Sequence, residues 1–208
     1  MTKFYLIRHG ETEWNDKRIL MGQTDIPIND KGHTQAKALG EYAKKFAFDY
    51  LYSSDLCRAK VTADYIANST GMEIITDKNL RECSAGKLEG LTYENMKMHF
   101  PDQIKQYSED PMLYLPPEGE ARKDFINRVK GYLIGLSETN ISKNIAIVTH
   151  GGVIRAFLSY LLALEFKMPA PEFAHLFRVD NCSVTMLQHR EKWEITYVND
   201  THHLKQLL

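Results

Sequence analysis

The chain has 208 residues, of which 43% are hydrophobic and 25% charged, close to the averages for soluble globular proteins; this argues against disorder, a collagen-like repeat and a disulfide scaffold. Lysine and arginine number 26 against 27 aspartates and glutamates, a net charge of -1 without the basic excess of a duplex-binding protein. No apolar run approaches the ~20 residues that span a bilayer, so neither nucleic acid nor membrane is an expected partner.

The N-terminal residues run straight into a strand-like segment, Phe4 to Ile7, which Arg8 cuts short; no signal-peptide pattern precedes it. Asn29 and Asp30 cap a predicted helix with Ala36, Leu39, Ala43 and Phe46 at helical spacing. Tyr50 to Tyr52 reads as a second buried strand. Asp55 is the expected N-cap of a helix carrying Ala59, Ala63, Ile66 and Ala67 on one face. Ile74-Ile75 marks a third strand. Thr92 caps a short helix that stops before Pro101, and the segment with Pro111, Pro116 and Pro117 is a loop. Phe125, Val129, Leu133 and Leu136 mark an amphipathic helix. Ile145 to Val148 is a buried strand, followed by a buried helix from Val153 to Leu164. Cys182 to Gln188 and Trp193 to Val198, split by Arg190-Glu191-Lys192, form a closing hairpin.

Strands alternating with helices predict an α/β fold: a single three-layer domain over residues 1–208, with a mostly parallel sheet, an antiparallel edge and helices on both faces. Residues 90–120, approximately, read as a cap-like insertion over one end of the sheet. The three cysteines, Cys57, Cys83 and Cys182, are odd in number, widely separated and without zinc-ligand spacing. They suit a reducing compartment, and the cytoplasm is the expected location.

Polar clusters stand where the strands end. Arg8-His9-Gly10-Glu11-Thr12 follows the first strand, Ser53-Ser54-Asp55 with Arg58 the second, and Thr149-His150-Gly151-Gly152 the strongest. Open α/β sheets bind ligands outside the carboxyl ends of their strands, so Arg8, His9, Arg58 and His150 converge on one crevice. Helix N-termini after Asp55 and after His150 add partial positive charge. Two arginines roughly balance a phosphomonoester dianion, and a neutral histidine beside them can attack phosphorus.

These residues carry a resemblance. Leu6-Ile7-Arg8-His9-Gly10-Glu11-Thr12-Glu13-Trp14-Asn15 looks like the N-terminal motif of the histidine phosphatase superfamily, in its phosphoglycerate mutase-like branch. Ser53-Ser54-Asp55-Leu56-Cys57-Arg58-Ala59, then Leu80-Arg81-Glu82 with Gly86 and Glu89-Gly90, and finally Val148-Thr149-His150-Gly151-Gly152 continue it in the family's order. The resemblance implies a phosphoglycerate mutase-like fold and a covalent phosphohistidine on His9. It implies that Arg8, Arg58 and His150 hold the phosphoryl oxygens, with Asn15 and Gly151 in the same pocket. Glu82 would be the acid that protonates the leaving oxygen and then the base that activates water. No cofactor and no metal are implied.

The substrate would be a small phosphomonoester. The region between Glu89 and Gly119 is short and offers only Lys97, Lys105 and His99 as basic residues, which favours a phosphatase over a mutase. Chain length and Pro-Pro-Glu-Gly-Glu at 116–120 are most similar to α-ribazole-phosphate phosphatases, which act in cobalamin biosynthesis, and to broad-specificity members. The run departs from the family's usual Gly-Glu-Ser at Ala121. Some phosphoserine phosphatases of the family use a histidine three residues beyond the acid, where this chain has Ala85. A silent phospho-ligand binding module is the alternative from another class.

Some readings stay open on the residues alone. Arg81-Glu82 could be a solvated pair. His33, His99, His175 and His189 read as surface or packing residues, and Cys83 as an inert thiol. His202-His203 could fold over the substrate or form a packed tail. Apolar stretches at 157–164 and 173–177 could cover a homodimer contact or belong to the core.

Overall fold

A computed structural model describes residues 1–167 and 175–207. Among these residues six strands form one sheet: β1 (Thr2–Arg8), β2 (Tyr50–Ser53), β3 (Ile74–Thr76), β4 (Asn144–Thr149), β5 (Val184–His189) and β6 (Trp193–Asp200), in the order β3-β2-β4-β1-β5-β6. The pairs β2–β3, β2–β4 and β1–β4 are parallel, whereas β5 runs antiparallel to both β1 and β6. The fold is thus the single α/β domain with an antiparallel edge that the alternation of strands and helices predicts.

Among the described residues seven α-helices accompany the sheet: α1 (Glu13–Asp16), α2 (Asp30–Ala43), α3 (Cys57–Thr70), α4 (Tyr93–His99), α5 (Pro101–Glu109), α6 (Arg122–Thr139) and α7 (Gly151–Phe166). The two-residue period of the strands divides the core between them. Phe4, Leu6, Ile145 and Ile147 pack with Phe125, Val129 and Phe157 of α6 and α7. Tyr5, Ile7, Ala146 and Val148 pack on the other face with Leu39 and Ala63 of α2 and α3. Both faces of β1 and β4 are therefore buried, which explains their unbroken apolar runs.

Local chemistry sets several boundaries. The Asn29 side chain accepts the Gly32 amide at 2.8 Å and starts α2, which ends at Ala43. Phe46 therefore lies beyond the helix, where it packs against Tyr5, Tyr42 and Phe48. Asp55 is not the cap of α3. Leu56 holds that position without a side-chain bond, because the Asp55 carboxylate is taken by the guanidinium of Arg81 at 2.6 and 2.7 Å. Thr92 caps α4 as predicted. Pro101, read above only as a stop, also opens α5, since its missing N–H costs nothing in the first turn. Helix α7 extends the predicted 153–164 by two residues at each end, with Leu164 and Phe166 exposed. Of the 173–177 stretch, residues 173 and 174 lie outside the described residues, Leu176 is exposed and Phe177 packs on the core.

Candidate active site

The parallel strands end level with one another. Arg8 stands opposite Thr149 and Ser53 opposite Val148. The His9 amide donates to the Thr149 carbonyl and the Ser54 amide to the Val148 carbonyl, both at 2.9 Å. Those bonds fix the first residues past each strand, His9, Ser54 and His150, at one sheet edge. The rings of His9 and His150 lie 5.2 Å apart, and both are buried, as is the whole of Arg58 from the first turn of α3.

The bonding partners assign the ring protons. His9 Nδ1 is 2.7 Å from the carbonyl oxygen of Gly10, which can only accept, so Nδ1 carries the hydrogen and Nε2 is the bare nitrogen. Arg58 Nε donates to His150 Nδ1 at 3.2 Å, so His150 Nε2 carries its hydrogen and donates to Ser54 Oγ at 2.9 Å. Burial, then the charges of Arg8 and Arg58, hold the pKa of His9 well below the ordinary histidine value. Burial and Arg58 do the same to His150. Both rings are neutral at pH 7.

The arginines are anchored from behind. Arg58 Nη1 and Nη2 donate to the carbonyls of Thr24 and Gly22 at 2.8 and 2.7 Å. Glu89 holds that loop by accepting the amides of Gln23, Thr24 and Ala85 at 3.0, 2.8 and 2.9 Å, with the Thr24 hydroxyl as a further donor. Gly22 has a φ of +53°, and a Cβ there would overlap the Glu89 carboxylate; only glycine meets both demands. Arg8 Nη1 donates to the Val179 carbonyl at 2.7 Å, while its buried Nε has no acceptor among the described residues. Burial, then the charge of Arg155, pushes the Arg8 guanidinium down to about 10. Gly151 opens α7 with its α-carbon close against Arg8; a Cβ there would lie 3.4 Å from Arg8 Nε.

Glu82 is seated at the N-terminus of α7. Its two carboxylate oxygens accept the Cys83 amide at 2.9 Å and the Gly152 amide at 2.8 Å. Arg128, from α6, holds the segment beneath it, donating to the carbonyls of Asn79, Arg81 and Glu82 at 2.8, 3.0 and 3.3 Å. The same guanidinium grips Glu120 through two bonds of 2.8 and 2.7 Å. Arg81 turns instead to Asp55, so Arg81 and Glu82 do not form the solvated pair their adjacency allowed.

Asn15 joins the site indirectly. Its side-chain oxygen closes the capping box of α1 with Thr12 and accepts from Asn181 Nδ2 at 3.1 Å, and that same nitrogen lies 3.0 Å from the His9 carbonyl. All the candidate residues Arg8, His9, Asn15, Arg58, Glu82, His150 and Gly151 thus belong to one connected assembly. The sequence reading gave no role to Ser54, Glu89, Glu120, Arg128 or Asn181. Glu89 had a signal, since Glu89-Gly90 stands among the motifs.

Beside Glu82 opens a cavity of about 350 Å³ with an apolar and aromatic wall that includes Leu20, Leu88, Tyr93, Tyr107 and Tyr114. Arg122 and Arg155 also line it. The remaining histidines lie elsewhere or at its margin: His33 bonds the Tyr65 hydroxyl, His189 stacks on Trp193, and His99 and His175 are exposed. His203 stacks on Tyr42 in a C-terminal 3-10 helix, His202–Leu207, that packs against α2, so that this tail is a packed one. Among the described residues no group of three or more His, Cys, Asp and Glu is arranged to hold a metal ion, and no helix is long and apolar enough to cross a membrane.

Neutral buried histidines framed by two anchored arginines, at the carboxyl edge of a parallel sheet, define an anion site of the phosphoryl-transfer kind. The chain belongs to the histidine phosphatase superfamily, branch 1, whose family model matches residues 4–201, and it is a phosphatase of that superfamily. It is 33% identical over 204 residues to the uncharacterized phosphatase PhoE of Bacillus subtilis, covering 98% of this chain and 97% of the relative. A phosphoserine phosphatase of Entamoeba histolytica, solved in complex with 3-phosphoglyceric acid, superposes with a TM-score of 0.85 at 32% identity, covering 98% of this chain and 100% of that one. An α-ribazole phosphatase of Shigella flexneri gives 0.83 at 28% identity, over 95% and 96%.

Proposed function

We propose that this protein hydrolyses small phosphomonoesters without a metal ion, through a phosphohistidine on His9. The observation that carries the reading is the fixed tautomer of His9: a buried neutral ring whose Nδ1–H is held by the Gly10 carbonyl, leaving Nε2 bare beside two arginines. Nε2 attacks phosphorus, the ester P–O bond breaks, and Glu82, entering as the carboxylic acid, gives its proton to the leaving oxygen. Water then attacks the phosphohistidine. Glu82 takes the water proton, the P–N bond breaks, and inorganic phosphate leaves with His9 neutral again. Arg8, Arg58 and the His150 ring surround the phosphoryl oxygens and oppose the charge that builds there, while the Gly151 amide and Asn15 complete the pocket.

Residues 90–120 serve as a cap, α4 and α5 supplying Tyr93 and Tyr107 to the wall of the leaving-group cavity. That aromatic wall suits a heterocyclic leaving group, and with the similarity to the Shigella enzyme it keeps α-ribazole 5'-phosphate among the candidate substrates.

The test is phosphate release from p-nitrophenyl phosphate with and without EDTA, in the wild type and in His9→Ala. EDTA-resistant turnover that disappears in His9→Ala supports the mechanism. Loss of turnover on EDTA treatment, or survival of turnover in His9→Ala, overturns it. Primer-dependent isomerisation of 3-phosphoglycerate without phosphate release would make the chain a mutase instead.

A further inference from the structure

Among the described residues the two arginines of the leaving-group cavity meet no counter-charge. Arg122 has a buried Nε without a hydrogen-bond acceptor among the described residues, and its guanidinium lies 5.6 Å from the ring of Phe125. Arg155 donates Nε to the Phe177 carbonyl at 3.2 Å, which aims the guanidinium without neutralising it. Neither makes an ion pair among the described residues. The carboxylates that share the cavity are engaged elsewhere: Glu120 by Arg128 through two bonds, Glu82 by two backbone amides. A guanidinium against an apolar wall keeps its desolvation cost unless an anion meets it, and two such groups on one cavity are poorly explained by packing alone. They stand 33 positions apart, on α6 and α7, and the same wall brings them to the side of Glu82 where the leaving alcohol must lie.

We propose that Arg122 and Arg155 are specificity-determining residues, and that the leaving alcohol of the preferred substrate carries a second anionic group, a carboxylate or a phosphate, which they bind. This rests on the phosphatase reading above and narrows it. Phosphorylated hydroxy acids and bisphosphates fit the cavity. Esters whose leaving group is uncharged, α-ribazole 5'-phosphate among them, lack the group that the arginines would meet.

Matched substrate pairs test this directly. Phosphoserine and phosphoethanolamine differ by one carboxylate, as 3-phosphoglycerate and glycerol 3-phosphate differ by exchange of a carboxylate for a hydroxymethyl group; ribose 1,5-bisphosphate against ribose 5-phosphate examines a second phosphate. The wild type should favour the doubly anionic member of at least one pair by about tenfold or more in kcat/KM, a margin typical of a lost charged contact. In Arg122→Gln and in Arg155→Gln the ratio within that pair should fall toward one, with Arg122→Lys restoring part of it. The ratio is read within each protein, so a general loss of activity in a variant does not imitate the result, and the wild-type ratios stand without any variant. Equal rates for both members of all three pairs would overturn the proposal, as would a preference that neither substitution reduces. If p-nitrophenyl phosphate is turned over while the pairs show no preference, this inference alone fails; if p-nitrophenyl phosphate is not turned over either, the phosphatase reading fails with it.

Discussion

The Gly152 amide donates to one carboxylate oxygen of Glu82 at 2.8 Å, and the α-carbon of Gly152 lies so close that a Cβ would overlap the other oxygen. The glycine is therefore the seat of the candidate acid. Gly152→Ala should keep the fold yet push Glu82 out of line. A positioned general acid contributes about 10²–10⁴-fold, so kcat/KM for an alkyl phosphate should fall by at least about 100-fold. For p-nitrophenyl phosphate, whose leaving group departs without a proton, kcat/KM should fall much less, because it reports only the phosphorylation step. Equal losses on both esters would remove Glu82 from the acid role.

Arg128 ties α6 to the segment below Glu82 through three carbonyls, and Glu120 orients it. Arg128→Met should destabilise the fold by about 2–3 kcal/mol, since it strands a largely buried carboxylate and frees three carbonyls together. Glu120→Gln keeps an acceptor for Arg128 and should cost about 1 kcal/mol. Urea denaturation of the two variants measures both, and a reversed order would show that the carbonyl bonds contribute little.

The depressed pKa values of His9 and His150 make stability depend on pH in one direction. Unfolded, each ring takes a proton near pH 6.5; folded, each resists it until well below. Their contribution is fully present above pH 6.5 and is lost as pH falls, by up to about 1.4 kcal/mol per pH unit for each ring. His150→Gln should flatten the stability curve between pH 6.5 and 5 relative to the wild type. For the same reason kcat/KM should show no acid limb from His9 near pH 6.5. An unchanged slope in the variant would mean that His150 takes up its proton over the same pH range folded as unfolded.

The thiols should be unreactive in the folded protein. Burial, then Asp25, pushes Cys57 up to about 11; burial, then Glu82 and Glu120, pushes Cys83 up to about 12; and burial raises Cys182 as well. Since the thiolate is the reacting species, iodoacetamide at pH 7.5 should leave all three unmodified over a time that labels them fully in urea, as mass spectrometry would read. Rapid labelling of Cys83 in the native state would contradict the environment described.

Arg8, His9, Arg58 and His150 were legible in the sequence because each follows a buried strand or opens a helix directly, where a charged or titratable residue needs a partner from outside its own element. Arg128 was not, since the carbonyls it binds lie 46 to 49 residues away and no local pattern announces a guanidinium that collects them; Glu89 stood in a motif, yet nothing local tells that it gathers the amides of Gln23 and Thr24, 66 and 65 residues away. Asp55 shows the opposite failure: its place before a helix satisfied the capping rule, and a tertiary partner, Arg81, outbid the helix end. The reading of the 89–119 region as poor in cations was right for that region, yet Arg122 and Arg155 reach the cavity from α6 and α7, which spacing alone does not reveal.

The strand order has a consequence for how the molecule comes into being. β1, carrying Arg8 into the site, lies between β4 and β5, so both of its neighbours are supplied by the last third of the chain. During synthesis the first strand waits, apolar on both faces, until residue 144 and beyond have been made, and it cannot pair in the sheet before then. Such long-range closure slows folding, and it leaves an interval in which Phe4 to Ile7 is an exposed, unpaired β-forming segment open to chaperones. It also means that no fragment ending before β4 contains a phosphate pocket: Arg8 and His150 come to share a site only through the pairing of β1 with β4.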